Sequence, residues 1–141
     1  MNKLARDFMT SDPACCRPHT MLDQVATMMV QYDCGEIPVL DTTDRPIGVV
    51  TDRDIVCRVV AEGKNPMAYS AETCMSESVV SVRADAPIQE VVSTMEQHQI
   101  RRVTVVDGSG CCIGIISQAD VASVARVEQA GELIREVSRD T

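Results

Sequence analysis

The chain repeats itself. Displacing the 141-residue sequence by 66 positions lays Met9 on Met75, Arg17 on Arg83, Val25 on Val91, Met29 on Met95 and Gln31 on Gln97. The same displacement lays Val39 on Val105, Asp41 on Asp107, Ile47 on Ile113, Gly48 on Gly114 and Asp54 on Asp120. No gap is needed between residues 9 and 54, which makes duplication the reading of choice. A half of about 55 residues is marginal as an independent core. The two halves must therefore fold alike and bury a surface against each other.

Each half reads as β-α-β-β-α. A short extended piece lies at 14–17 and again at 79–82. A helix is predicted over 21–33, with Met21, Leu22, Val25, Met28 and Met29 on one face. Thr20 and Asp23 suit its N-terminus as a cap. In the second half Asp85 suits the cap and Pro87 the first turn, followed by an apolar stripe of Ile88, Val91, Val92 and Met95. Strands follow at 37–40 and 47–50, then at 103–106 and 113–116, each pair flanking a turn-rich stretch. Further helices are expected from Asp52 toward Glu62 and from Gln118 toward Val137. The fold class is α/β (α+β), with repeats at 1–62 and 75–141, a linker at 63–74, and sheets packed with pseudo-two-fold symmetry. That arrangement leaves two related clefts, and clefts between packed units are common ligand sites.

Charge and cysteine content narrow the function. A net charge of −8 argues against a nucleic-acid partner, which calls for a basic face. It does not argue against one bound nucleotide, which needs only a few local cations. The seven cysteines form no C-x-x-C, and only His19 and His98 could join them, so no metal site is expected. They read as reduced thiols, with Cys34 and Cys57 as small core residues. The start of the chain has no apolar run of secretory type, and no stretch of about 18 apolar residues could span a bilayer. A cytoplasmic protein without membrane contact is expected.

The segments Gly48-Val49-Val50-Thr51-Asp52-Arg53-Asp54 and Gly114-Ile115-Ile116-Ser117-Gln118-Ala119-Asp120 share the form G-h-h-[ST]-x-x-D at a strand-to-helix junction. Locally this is a helix capping box. Its recurrence in a β-α-β-β-α unit resembles the CBS domain, and the pair resembles a tandem CBS (Bateman) module over residues 5–136. Met9-Thr10, Met75-Ser76, Ile37-Pro38-Val39 and the run from Arg101 to Val105 carry the same likeness. The run from Thr51 to Val56 is also similar to small stand-alone bacterial CBS-pair proteins of the hypoxic response type.

The resemblance implies a regulatory module that binds an adenosine ligand (AMP, ADP, ATP or a related adenosyl compound). Asp54 and Asp120 would grasp the ribose diol, with Thr51 and Ser117 toward ribose or phosphate. A carboxylate accepting two diol hydrogen bonds is a strong, charge-assisted pairing. Backbone groups near Ala14 and Cys15, and near Val80 and Ser81, would read the adenine edge, and Ile37 and Val103 would sandwich its faces. Arg101 and Arg102 stand where the first half has Gly35 and Glu36. On this reading they favour phosphate in the second-half pocket. Thr104 replaces the Pro found at 38, which alters a strand edge.

Catalytic readings are weaker. Asp52 and Asp54, two apart on a helix, do not face each other. No nucleophile motif, Walker loop or dinucleotide fingerprint occurs. No cofactor is required, and the chain is expected not to be an enzyme. The competing function is a ligand-free interaction or scaffold module, redox- or stress-responsive through its thiols. A homodimer through the helices and a separate client protein follow from the resemblance.

Overall fold

The computed structural model describes residues 3–77 and 79–123. A short helix α1 (Ala5–Phe8) leads into strand β1 (Thr10–Ser11). Helix α2 (Leu22–Gln31), strands β2 (Glu36–Leu40) and β3 (Pro46–Thr51), and helix α3 (Asp52–Ile55) complete the first repeat. The helix of α3 continues as a π-helical turn, Val56–Val60. The second repeat holds β4 (Ser81–Arg83), α4 (Ile88–His98), β5 (Arg102–Val106) and β6 (Cys112–Ser117), and residues 118–123 are helical after it. The expected C-terminal helix over 121–137 lies mostly outside the described residues.

The helices form where the apolar period predicts. Leu22, Val25 and Met29 are buried along α2, and Ile88, Val91 and Met95 along α4. Their caps differ from expectation. The N-cap positions are Met21 and Pro87, and neither has a side-chain cap bond. The Thr20 hydroxyl instead accepts from the Arg17 N–H at 3.0 Å, and Asp85 pairs with Arg83 at 3.5 Å. The first turn of α2 is held by a neighbouring segment, with the Leu22 N–H donating to the Tyr69 carbonyl at 2.9 Å. Tertiary contact replaces the local cap.

Each repeat lends its leading segment to the other. In one sheet the order is β1-β6-β5-β4, so the first repeat's β1 forms an edge of the second repeat's sheet. Thr10 pairs with Ile115 antiparallel, and Val82 pairs with Val105 parallel. The other sheet, β2-β3, is extended in the same order by single bridges, Ser76 to Val49 antiparallel and Cys16 to Val39 parallel. The exchange reaches the backbone ahead of these strands. The Ala5 N–H donates to the Ala86 carbonyl at 2.8 Å, and its counterpart Ala71 donates to the Thr20 carbonyl at 2.7 Å.

Two cores result. One gathers Leu22, Val25, Ile37, Val39 and Val50 with Ala71 and Cys74. The other gathers Val91, Val103, Val105 and Ile116 with Ala5. Part of the stretch at 63–74 is thus packed into the first repeat rather than spanning freely between the two. Met75 lies over Gly48 and Met9 over Gly114. A Cβ on Gly48 would stand 2.5 Å from the Met75 Sδ, and one on Gly114 would stand 2.8 Å from the Met9 Cγ. The repeated Met and the repeated Gly are each other's partners across the two halves.

Candidate functional site

Two clefts open between the repeats, and the 66-residue displacement relates one to the other. The first has a volume of about 520 Å³ and sets Thr51 and Asp54 of the first repeat against Val80, Arg101, Arg102 and Thr104 of the second. The second, about 260 Å³, sets Ser117 and Asp120 against Ala14, Cys34 and Glu36. Each therefore takes its [ST]-x-x-D junction from one repeat and its opposite wall from the other.

Both junctions form the capping box expected from sequence. The Thr51 hydroxyl accepts from the Asp54 N–H and the Asp54 carboxylate accepts from the Thr51 N–H, both at 3.0 Å. In the second repeat the corresponding distances are 3.1 Å at Ser117 and 2.9 Å at Asp120. The cap fixes where each carboxylate points without using all its acceptor capacity, because each oxygen carries two lone pairs. Asp54 is 17% exposed and its Oδ1 lies 3.7 Å from the Arg58 Nε. Arg58 also donates from Nη1 to the Cys74 carbonyl at 3.2 Å, tying helix α3 to the segment that opens the second repeat.

Helix ends aim the rest of the lining. Asp33 and Gln99, equivalent under the displacement, both adopt left-handed backbone, with φ of 50° and 53°. The next N–H closes the helix in each case, Cys34 to the Met29 carbonyl and Ile100 to the Met95 carbonyl, each at 3.0 Å. This is the 6→1 bond of a Schellman ending, usually built on Gly. It turns Asp33, Cys34 and Glu36 into the second cleft, and Gln99, Ile100 and Arg101 into the first.

The clefts differ in charge. Arg53, Arg58, Arg101 and Arg102 line the first, against Glu36, Asp52 and Asp54. Among the described residues Arg102 is the one cation lining the second, against Asp12, Asp33, Glu36 and Asp120. Glu36 and Arg102 border both. They are also equivalent positions of the two repeats. Burial pushes the Glu36 carboxyl above its ordinary value, the Arg102 guanidinium pulls it back, and Asp54 adds to the rise.

Several expectations need correcting. Arg101 does not join Ser117 and Asp120 in a pocket, and Arg102, which does line their cleft, presents itself to the first cleft as well. Both line the cleft of Thr51 and Asp54, because the walls come from opposite repeats. Ala14 likewise faces Asp120, and Val80 faces Asp54. Ile37 is 0% exposed and Val103 1%, enclosed in the two cores, so neither presents a face for a base. Ser81 is exposed on β4, and Cys15 turns its thiol to the Pro13 carbonyl at 3.3 Å and to the Cys112 thiol. Cys57 is exposed rather than in the core.

The Thr104 departure has a visible effect. Its N–H donates to the Val80 carbonyl at 3.3 Å, whereas Pro38 has no N–H to offer the equivalent Ala14 carbonyl. Sequence reading missed Arg58 and Gln99 in the first cleft and Asp12 and Asp33 in the second. For Gln99 and Asp33 the available signal was the displacement itself, which places them opposite a junction only once the walls are known to cross; Arg58 stands four residues after Asp54, on its own side of the cleft.

Among the described residues no helix is long and apolar enough to cross a membrane, and no group of three or more His, Cys, Asp or Glu side chains could hold a metal ion.

Comparisons with known proteins bear on the family and the fold. A family model of the CBS domain matches residues 5–61 and 71–127. Hypoxic response protein 1 of Mycobacterium tuberculosis is 38% identical over 118 residues, covering 84% of this chain and 82% of that protein. The crystal structure of Hypoxic Response Protein I with two coordinated zinc ions superimposes with a TM-score of 0.78 at 36% identity, covering 86% and 98% of the two chains. The CBS domain pair of protein MJ0100, in complex with 5'-methylthioadenosine and S-adenosyl-L-methionine, gives 0.80 at 21% identity, covering 91% and 99%. CBSX2 in complex with AMP gives 0.76 at 23%, covering 89% and 98%.

Proposed function

This chain belongs to the CBS domain family, and we propose that it is a regulatory module that works by binding an adenosine nucleotide in its first cleft. Asp54 accepts the two ribose hydroxyls, Thr51 faces ribose or phosphate, and Arg101 and Arg102 hold the phosphate. One observation carries this reading. The carboxylate fixed by its capping box stands across a cleft of about 520 Å³ from two adjacent arginines of the other repeat. That volume falls within the range of small-molecule pockets. A guanidinium fork suits phosphate, and a carboxylate suits a cis-diol. The adenosine compounds held by the pairs of MJ0100 and CBSX2 are consistent with the same ligand class here.

Regulation follows if two arrangements of the repeats bind the nucleotide with different affinity. Because both walls of the cleft come from different repeats, a bound nucleotide bridges them. Val56 and Val60, 57% and 52% exposed on the helix after Asp54, supply an apolar outer face for a second copy or a client protein.

Thermal unfolding with AMP, ADP, ATP and S-adenosylmethionine tests the reading. A ligand at a hundredfold excess over Kd stabilises by about 2.7 kcal/mol, which is about 9 °C for a chain of this length. Asp54→Ala should abolish the shift while costing about 1 kcal/mol through the lost capping contact. A panel without any shift, or an Asp54→Ala variant that keeps it, would overturn the proposal and favour a ligand-free scaffold.

A further inference from the structure

Duplication gives the two clefts the same framework, and one pair of equivalent positions borders both of them. These are positions 36 and 102, and they carry opposite charge. We propose that Glu36 and Arg102 couple the clefts, so that a phosphorylated ligand beside Asp54 excludes a second one beside Asp120 and leaves that cleft to an adenosyl compound without anionic groups. The proposal rests on the adenosine reading above and adds which ligand class each cleft takes and how the two communicate.

The argument is electrostatic. Arg102 is the one cation lining the second cleft among the described residues, and it lines the first as well. A guanidinium bonded to phosphate in one cleft is not available to phosphate in the other. With Arg102 engaged, Glu36 loses the nearby charge that offsets its burial, and it faces the second cleft beside Asp12, Asp33 and Asp120. An anion entering there meets carboxylates alone. An uncharged adenosine still finds the Asp120 carboxylate for its diol and the Ala14 carbonyl for its amino group, and it gains from the acidic lining if it carries a positive charge. The smaller volume, about 260 Å³, also suits a ligand without a polyphosphate tail.

Isothermal titration calorimetry of the full chain with ADP and with adenosine separates the possibilities. The wild type should bind one ADP per chain, and the ADP-loaded protein should then take one equivalent of adenosine. Glu36→Arg, which gives the second cleft a cation of its own, should admit a second ADP. Arg102→Gln should weaken the first ADP site by about 10- to 100-fold, as expected for a lost charge-assisted bond, with adenosine binding changed by less than about threefold. Two equal ADP sites in the wild type would overturn the coupling and leave the nucleotide reading standing. So would a Glu36→Arg variant that still binds one ADP, or an Arg102→Gln variant with unchanged ADP affinity. No heat with either ligand would remove both proposals together.

Discussion

Gly48→Ala tests whether the exchanged segments hold the molecule and its first cleft together. A methyl group at position 48 would lie 2.5 Å from the Met75 Sδ, 2.9 Å from its Cγ and 3.0 Å from the Ser76 carbonyl oxygen. The thioether has some freedom to move. The Ser76 backbone has little, because it is pinned to Val49 by two bonds, its N–H donating at 2.8 Å and its carbonyl accepting at 3.0 Å. Overpacking of this kind costs about 1–3 kcal/mol, and the reduced freedom of the unfolded chain returns about 0.4–1 kcal/mol. A net loss of about 1–2 kcal/mol follows. At about 2.1 cal/mol/K per residue, the unfolding entropy of 141 residues translates this into a Tm lower by about 3–7 °C. Calorimetry of Gly48→Ala, Met75→Ala and the double variant isolates the contact. The two changes should fail to add by about 1 kcal/mol, since removing the thioether makes room for the methyl. Val49 and Ser76 line the first cleft, so Gly48→Ala should also weaken ADP binding. Gly114→Ala, which strains the Met9 contact beside the second cleft, should leave ADP affinity alone. A Gly48→Ala Tm at or above that of the wild type, or strict additivity with Met75→Ala, would refute the reasoning.

Burial raises the Glu36 carboxyl above its ordinary value, so the unfolded chain ionises there first, and this contribution to stability is full at low pH and lost as pH rises through the folded value. Glu36→Gln should therefore raise Tm at pH 7 relative to wild type and give no such gain at pH 4. An equal effect at both pH values would count against it. Gln99 holds left-handed backbone at the end of α4, which costs a non-Gly residue about 1–2 kcal/mol, so Gln99→Gly should stabilise by about 1 kcal/mol in urea titration, and a destabilised variant would contradict that assignment. The thiols should separate by chemistry. Cys112 is eased toward thiolate by the hydrogen bond from Cys15, which itself is pushed up, while burial pushes Cys16 up to about 11. Alkylation at pH 8 followed by peptide mass spectrometry should label exposed Cys57 and then Cys112 well before Cys16. Labelling of Cys16 as fast as Cys57 would show that the packing around it is wrong.

Much of the fold was legible because duplication and periodicity are local properties of a sequence. Val25 and Val91 mark the buried faces of α2 and α4, and both are fully enclosed. The turn residues Asp41 and Asp107 were legible as identities, and each folds its hairpin loop by accepting backbone N–H groups, Thr43 and Arg45 in one, Ser109 and Cys111 in the other. The helix caps were not legible. Thr20 and Asp85 look like caps in any local window, and only the arrival of residues 69–71 and 3–5 from the other repeat makes them unnecessary.

The same crossing explains what went astray at the site. A local reading assigns Arg101 to the cleft of its own repeat, because nothing in one repeat records that its leading segment belongs to the other sheet. Once Thr10 pairs with Ile115 and Ser76 bridges Val49, each junction faces the opposite repeat. Residues that differ between the repeats then shape the clefts in the reverse sense, and the arginines gained at 101 and 102 enrich the cleft of Asp54. A duplicated chain that exchanges its leading segments cannot change one cleft alone at the positions both share. Glu36 and Arg102 are such positions, and their opposite charges make two clefts of common ancestry unequal.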